Sequence, residues 1–351
     1  MDEIKALIPD IDEFDYFLDK LLPKENMTTM DFVEDVLKGN WVMEPNLLWN
    51  YIKEIGTGYM QEWKSLFISI LVLFILAAIV SAFMEAFRTE AIAKGARLFF
   101  IMCELVVFLR AWKIVSFITA DTIGQMTDFL QLAIPGYMVC VAATGSGMTA
   151  VIFYKLLIGF LCLVEGFLVS ALMPMVEMYM ILGICESLFG EERFKNLMDT
   201  LKKLVLFILK GMIVLMSGSG ILQLLITPVL DKANVNLARK TAAAIPGVGD
   251  IAESVSSITL ASALTVKNSF GVVILVILIL LVAAPTIRIF LILGSLKLGA
   301  ALGGIMGERK MVKCADYMTD AGYLLLRLVI TVSALFFIAI AALTNATGGT
   351  F

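Results

Sequence analysis

The sequence predicts an all-α fold: a polytopic integral membrane bundle of helices behind a small amphipathic helical region outside the membrane. Three observations carry this. Of 351 residues, 60% are apolar and 17% charged, and the mean hydropathy is +0.93. Soluble domains hold about 45–50% apolar and about 25% charged residues. Apolar runs recur that are long enough to cross about 30 Å of hydrocarbon at 1.5 Å per residue. The charge is also divided: residues 1–65 carry 14 acidic and 6 basic residues, and the remainder carries 17 and 21.

The acidic head, residues 1–65, is expected to form short helices. Asp10 and Glu13 have capping-box spacing, and Ile11, Phe14, Leu18 and Leu21 make one stripe up to Pro23. A second helix fits 30–38, capped by Thr29 and stopped by Gly39, with Phe32, Val33, Val36 and Leu37 apolar. A third runs from Pro45 through Leu48, Tyr51, Ile52 and Ile55 towards the membrane. Three short helices bury little apolar area. The head is either a cap packed on itself or a docking surface.

The membrane domain is expected over 66–345. Leu66 to Phe83 is a clean span, and 98–118 a second one that carries Glu104, Arg110 and Lys113. Arg88, Lys94 and Arg97 between them place that loop in the cytoplasm and the head outside, by the positive-inside rule. Residues 132–188 are apolar but broken at Pro135, Thr144 to Gly147 and Pro174. Three short segments are expected there, of which one can be re-entrant. Residues 190–203 form an interfacial cytoplasmic helix with Phe194, Leu197, Met198 and Leu201 on one side. A crossing over 204–226 follows.

Residues 227–267 are amphipathic and fall outside by alternation, although Lys232, Arg239, Lys240 and Lys267 pull towards the inside. Then come a span over 268–293 interrupted by Pro285 and Arg288, a Gly- and Ala-rich stretch to 305, basic residues at 309–313, a last span at 322–344, and an uncharged tail outside, with 346–351 at its end. The count is about seven crossings.

Charged residues inside apolar runs are the first functional candidates: Glu104, Lys155, Glu165, Glu177, Arg288 and Lys297. Each costs roughly 2.5–3.5 kcal/mol at mid-bilayer on insertion scales, so a group of them calls for partners or a watery path. A polar pathway, structural ion pairing and a subunit contact all fit. Arg110 and Lys113 lie near a span end, where snorkelling accounts for them. Gly299, Gly303 and Gly307 form a small-residue ridge suited to close helix packing, within one chain or between copies.

Several classes are excluded or disfavoured. The chain has no histidine, which removes Ser-His-Asp and Cys-His catalysis. An intramembrane enzyme would need paired Asp or a Ser-Lys dyad, and no Asp falls within a confidently placed span. No P-loop motif and no basic stripe for nucleic acid are present. The cysteines Cys103, Cys140, Cys162, Cys185 and Cys314 form no CxxC pair and are expected to be small buried hydrophobes. Met1-Asp2-Glu3 does not open a secretory signal peptide, so targeting rests on the first span or on a leader outside this sequence.

The turn Ile245-Pro246-Gly247-Val248-Gly249, the Ser/Ala-rich stretch after it, Lys267-Asn268 followed by Gly271, and Pro285 resemble the stage III sporulation protein AE family of endospore-forming bacteria. Leu296-Lys297-Leu298 with Ala300-Ala301, Met126 to Phe129, Ala142 to Gly147 and Pro174 extend the resemblance across most of the membrane domain. It implies a permease-like membrane subunit on the mother-cell side of the channel that joins mother cell and forespore during engulfment. The implied partners are other sporulation operon membrane proteins, ring-forming proteins between the two membranes and a cytoplasmic ATPase, with membrane lipid around the body. No cofactor or metal is implied. Homo-oligomerisation stays open. The rivals are a self-sufficient secondary transporter, with Lys155, Glu165 and Glu177 around a midplane site, and a scaffold that conducts nothing.

Overall fold

Two prolines and several glycines that punctuate the sequence do not end helices. In a computed structural model, residues 15–17, 28, 31, 34, 45–87, 90–143, 147–189, 193–217, 249–305 and 309–346 are described, and nearly all are helical. Helix α1, Pro45–Phe87, starts on a proline, whose missing N–H is no loss in a first turn. It runs without a break through residue 65, so the third head helix and the first span are one rod. Helix α2, Glu90–Ala143, has 54 residues, about 81 Å at 1.5 Å per residue. It joins the expected 98–118 span to the start of the 132–188 block. Pro135 sits inside it, where buried Ala133, Ile134, Tyr137 and Met138 hold the helix against its neighbours.

Helix α3, Gly147–Phe167, passes through a π turn, Leu168–Leu172, into α4, Met173–Phe189. The Met173 N–H reaches the Leu168 carbonyl, one residue further back than in an α-helix. Pro174 explains the wide turn: it offers no N–H, and its ring would press on the Ser170 carbonyl in regular winding. The three short segments expected in 132–188 are therefore the end of α2 and one continuous leg. Helix α5 covers 195–217, merging the interfacial helix with the start of the next span. Helix α6, Gly249–Ile305, takes in the Ser/Ala-rich stretch, Lys267, Asn268, Pro285 and Gly303 on one rod. Helix α7, Arg309–Ala346, begins well before the expected start at 322.

Four helical stretches are long and apolar enough to cross a membrane: Lys53–Val80, Lys155–Phe189, Ser269–Leu302 and Arg309–Ala341. The expected seven are thus not what the described residues carry. The 98–118 stretch holds Glu104, Arg110 and Lys113, and α5 holds Lys202, Lys203 and Lys210. The first falls short on charge, and of the expected crossing over 204–226 only 204–217 is described.

Side-chain contacts fix the direction of each leg. Glu62 meets Arg288 and Ile70 meets Gly299, so α1 and α6 run parallel. Leu293 against Gly322 and Lys297 against Asp316 make α6 and α7 antiparallel. Gly183 against Tyr317 and Leu188 against Lys310 make α4 and α7 antiparallel. The α4–α5 pair is a hairpin, with Tyr179 near Lys202 and Gly183 near Met198. Met126 to Ser333 and Ser116 to Glu177 set α2 parallel to α7. Gln131 to Cys162 turns α3 back along α2. The legs alternate up and down around α7, whose Ala315, Ala321, Leu325, Val329, Leu335 and Phe336 are fully buried.

Of the head, Phe17 packs edge-on to Phe129 of α2 at 5.4 Å, so residues 15–17 lie against the last third of α2. In the second head helix Thr28 caps Asp31; Thr29 lies outside the described residues. Thr28 Oγ1 accepts the Asp31 N–H at 3.2 Å, and the Thr28 N–H donates to Asp31 Oδ2 at 3.0 Å. Asp10 and Glu13, Ile11, Phe14, Leu18 and Leu21 lie outside the described residues.

Candidate functional site

Several buried hydroxyls in the core are satisfied by their own helix. Thr119, Thr127, Thr319 and Ser333 each donate to the carbonyl four residues back, at 2.7 to 3.0 Å. This is the usual solution where no water competes. The charged residues behave differently, because no helix can satisfy them alone.

Arg288 forms a two-pronged pair with Glu62. Its Nε and Nη2 donate to Oε2 and Oε1 at 2.9 and 3.0 Å, and the guanidinium lies 5.0 Å from the Tyr59 ring centre. The fork fits a carboxylate in a way a lysine would not. The pair ties α1 to α6, and Glu62 is a partner that the sequence did not single out. Lys297 donates to Asp316 at 2.5 Å, and Lys202 donates to Asp320 at 2.9 Å. Asp316 and Asp320 stand one turn apart on α7 and draw one lysine each from α6 and α5. Both aspartates lie on the 33-residue stretch Arg309–Ala341, before its most apolar part. Their signal was the i, i+4 spacing, hidden by starting the last span at 322.

Glu177 accepts a hydrogen bond from Ser116 at 3.4 Å. Glu165 lies beside Thr127 and Asp128 of α2. Lys155 is exposed at the start of its apolar stretch. The three residues expected around one midplane site thus have separate surroundings. Glu104 is buried, close enough to Cys314 to act on it electrostatically. Near them, Glu186 accepts the Phe194 N–H at 3.0 Å, closing the α4–α5 turn. Arg110 and Lys113 are exposed.

Of the small-residue ridge, Gly299 packs within the chain: a methyl there would overlap Ile70 of α1. Gly303 lies on α6, and Gly307 falls outside the described residues. The tightest of the other helix crossings use glycines that sequence reasoning missed, Gly183 against Tyr317 and Gly322 against Leu293. Pro246 and Gly247 also fall outside the described residues, and Gly249 opens α6. Of the cysteines, only Cys140 and Cys314 are buried, while Cys162 is exposed.

Fold and charged groups together define a class: an all-helical membrane protein whose legs are tied by ion pairs near the bundle surface. Residues 27–347 match the family described as Stage III sporulation protein AE (spore_III_AE). The chain belongs to that family. A relative of the same name from Bacillus subtilis (strain 168) is 22% identical over 280 residues, which cover 79% of this chain and 70% of the relative. No solved structure matches the chain.

Proposed function

We propose that the protein is a non-enzymatic, permease-like membrane subunit of the channel or secretion-like complex that joins mother cell and forespore. It sits in the mother-cell membrane with the acidic head outside. Family membership supports the sporulation setting. The observation that carries the subunit role is the exposure of the paired charges. Glu62–Arg288, Lys202–Asp320 and Lys297–Asp316 are each about one-third to one-half exposed. A self-sufficient transporter needs polar groups converging at mid-depth. Half-exposed ion pairs in membrane-compatible helices fit a body that neighbours cover.

The orientation rests on Arg193, Lys195, Arg309, Lys310 and Lys313, which gather at the end of the bundle opposite Phe17. The partners in this reading are operon membrane and ring-forming proteins and a cytoplasmic ATPase.

The test is delivery to the forespore, read with a small-molecule reporter in sporulating cells that carry the full chain. Loss on deletion, with the purified protein alone inactive in liposomes, supports the subunit role. Transport by the purified protein alone would overturn it. Glu165→Ala and Glu177→Ala are expected to leave delivery within about twofold of wild type, since neither belongs to a shared site. Thiol labelling of a cysteine placed in the head of intact cells checks the orientation.

A further inference from the structure

Two faces of the bundle carry unbalanced charge of opposite sign, and part of it lies at one depth. On the α2–α3 side, Asp121, Asp128 and Glu165 form an acidic strip. Asp121 and Asp128 are exposed on α2, and Glu165 stands beside Asp128. On the α5–α7 side, Lys210 and Arg327 are exposed and make no ion pair among the described residues.

The depths follow from contacts already described. Met126 meets Ser333 and α2 runs parallel to α7, so Asp121 lies level with Leu328, next to Arg327. Lys202 meets Asp320 and α5 also runs parallel to α7, so Lys210 lies level with Leu328 too. Asp128 and Glu165 sit about 10 Å higher, at 1.5 Å per residue. Arg327 lies in a stretch that can cross a membrane, where an exposed charge must reach water, the interface or a partner.

We propose that these faces meet between copies of this chain, the acidic α2–α3 face of one against the basic α5–α7 face of the next. Copies in one bilayer share an orientation, so each residue has the same depth in every copy. Only groups at matched depth can then pair, and Asp121 with Arg327 and Lys210 satisfies that condition. The contact joins two different patches, so it is head-to-tail and builds a ring where the rotation closes. Neutralisation of Asp121 by Arg327 and Lys210 is its driving chemistry. The inference goes beyond the channel reading and stands or falls without it.

The experiment uses two differently tagged full-length copies in the same cells and measures how much of one is recovered with the other from gently solubilised membranes. Asp121→Lys and Arg327→Glu alone are each expected to lower recovery about tenfold, because each sets like charges face to face. The double variant, in every copy, is expected to return to within about twofold of wild type, since each contact again pairs opposite charges. Neutral Asp121→Asn and Arg327→Gln variants, extracted as folded helical protein, control for stability. Unchanged recovery with folded single variants overturns the proposal. So does a double variant that fails to rescue. Co-recovery that depends on a third protein from the same cells also overturns it, because the occupant is then that protein.

Discussion

The apolar stretches in α1 and α7 are equally apolar, yet 22% of one and 67% of the other is buried. In α1, Ile68, Val72, Leu76, Ile79 and Phe83 stay exposed, while among the described residues Leu66, Ile70, Phe74 and Ala77 reach the core. Helix α7 buries nearly every turn. What differs is the grain of the sequence. Helix α7 has Ala315, Ala321, Gly322, Ser333 and Ala339 spread among its large residues, and its hydroxyls bond within the helix. Small residues let neighbouring backbones close in, and lipid offers no hydrophobic reward for helix contact. Hydropathy says that a helix can live in a membrane; the placing of small residues says which helix stands in the middle.

The sharpest way to break this comparison is to cut the same kind of side chain on each helix. Leu328→Ala on α7 is expected to cost about 2–5 kcal/mol, because the site is fully enclosed. Ile68→Ala on α1 should cost less than about 0.5 kcal/mol. Thermal unfolding of purified protein in detergent, side by side, reads the difference. Next comes a small-to-large change. Gly322→Ala drives a methyl into Leu293 and should cost about 1–3 kcal/mol. Gly58→Ala meets nothing on α1 and should be neutral or stabilise by up to about 1 kcal/mol.

A smaller effect is expected at the tie between α1 and α6. Arg288→Ala should cost about 1 kcal/mol, given that the pair is part-exposed. Arg288→Lys should not restore it fully, since the fork is lost. The smallest effect lies in the head. The Thr28 hydrogen bonds hold the Asp31 carboxyl below the ordinary carboxylate range. The cap therefore contributes fully above that range and is lost as pH falls through the lowered value. Helix signal from the head should fall slightly at acid pH in wild type, and Asp31→Asn should flatten that response.

Much of the architecture was legible. The helical class followed from composition, and the start of α1 from Pro45. Arg288 and Lys297 were marked as groups in search of partners, and each has one. The continuity of the rods was not legible. Proline and glycine end helices in water, where freed carbonyls find solvent and packing is light; Pro135 and Pro285 are instead gripped inside long rods. Charge misled in the other direction. Asp316 and Asp320 were not singled out, because their lysines come from α6 and α5, far away in sequence. Gly183 and Gly322 gave no local signal, since only the facing Tyr317 and Leu293 make them necessary.

The wide turn at Leu168–Leu172 bears on how the chain tolerates a change of length. A turn of this kind holds one residue more than regular winding needs. Deleting a residue within it removes that extra residue and leaves both flanks facing the neighbours they have now, at the cost of pressing Pro174 onto the carbonyl four residues before it. The same deletion further along α4 would swing everything beyond it by about 100° and carry Gly183 away from Tyr317. Among the positions of this leg, the chain can lose a residue at 168–172 and keep its register on α7.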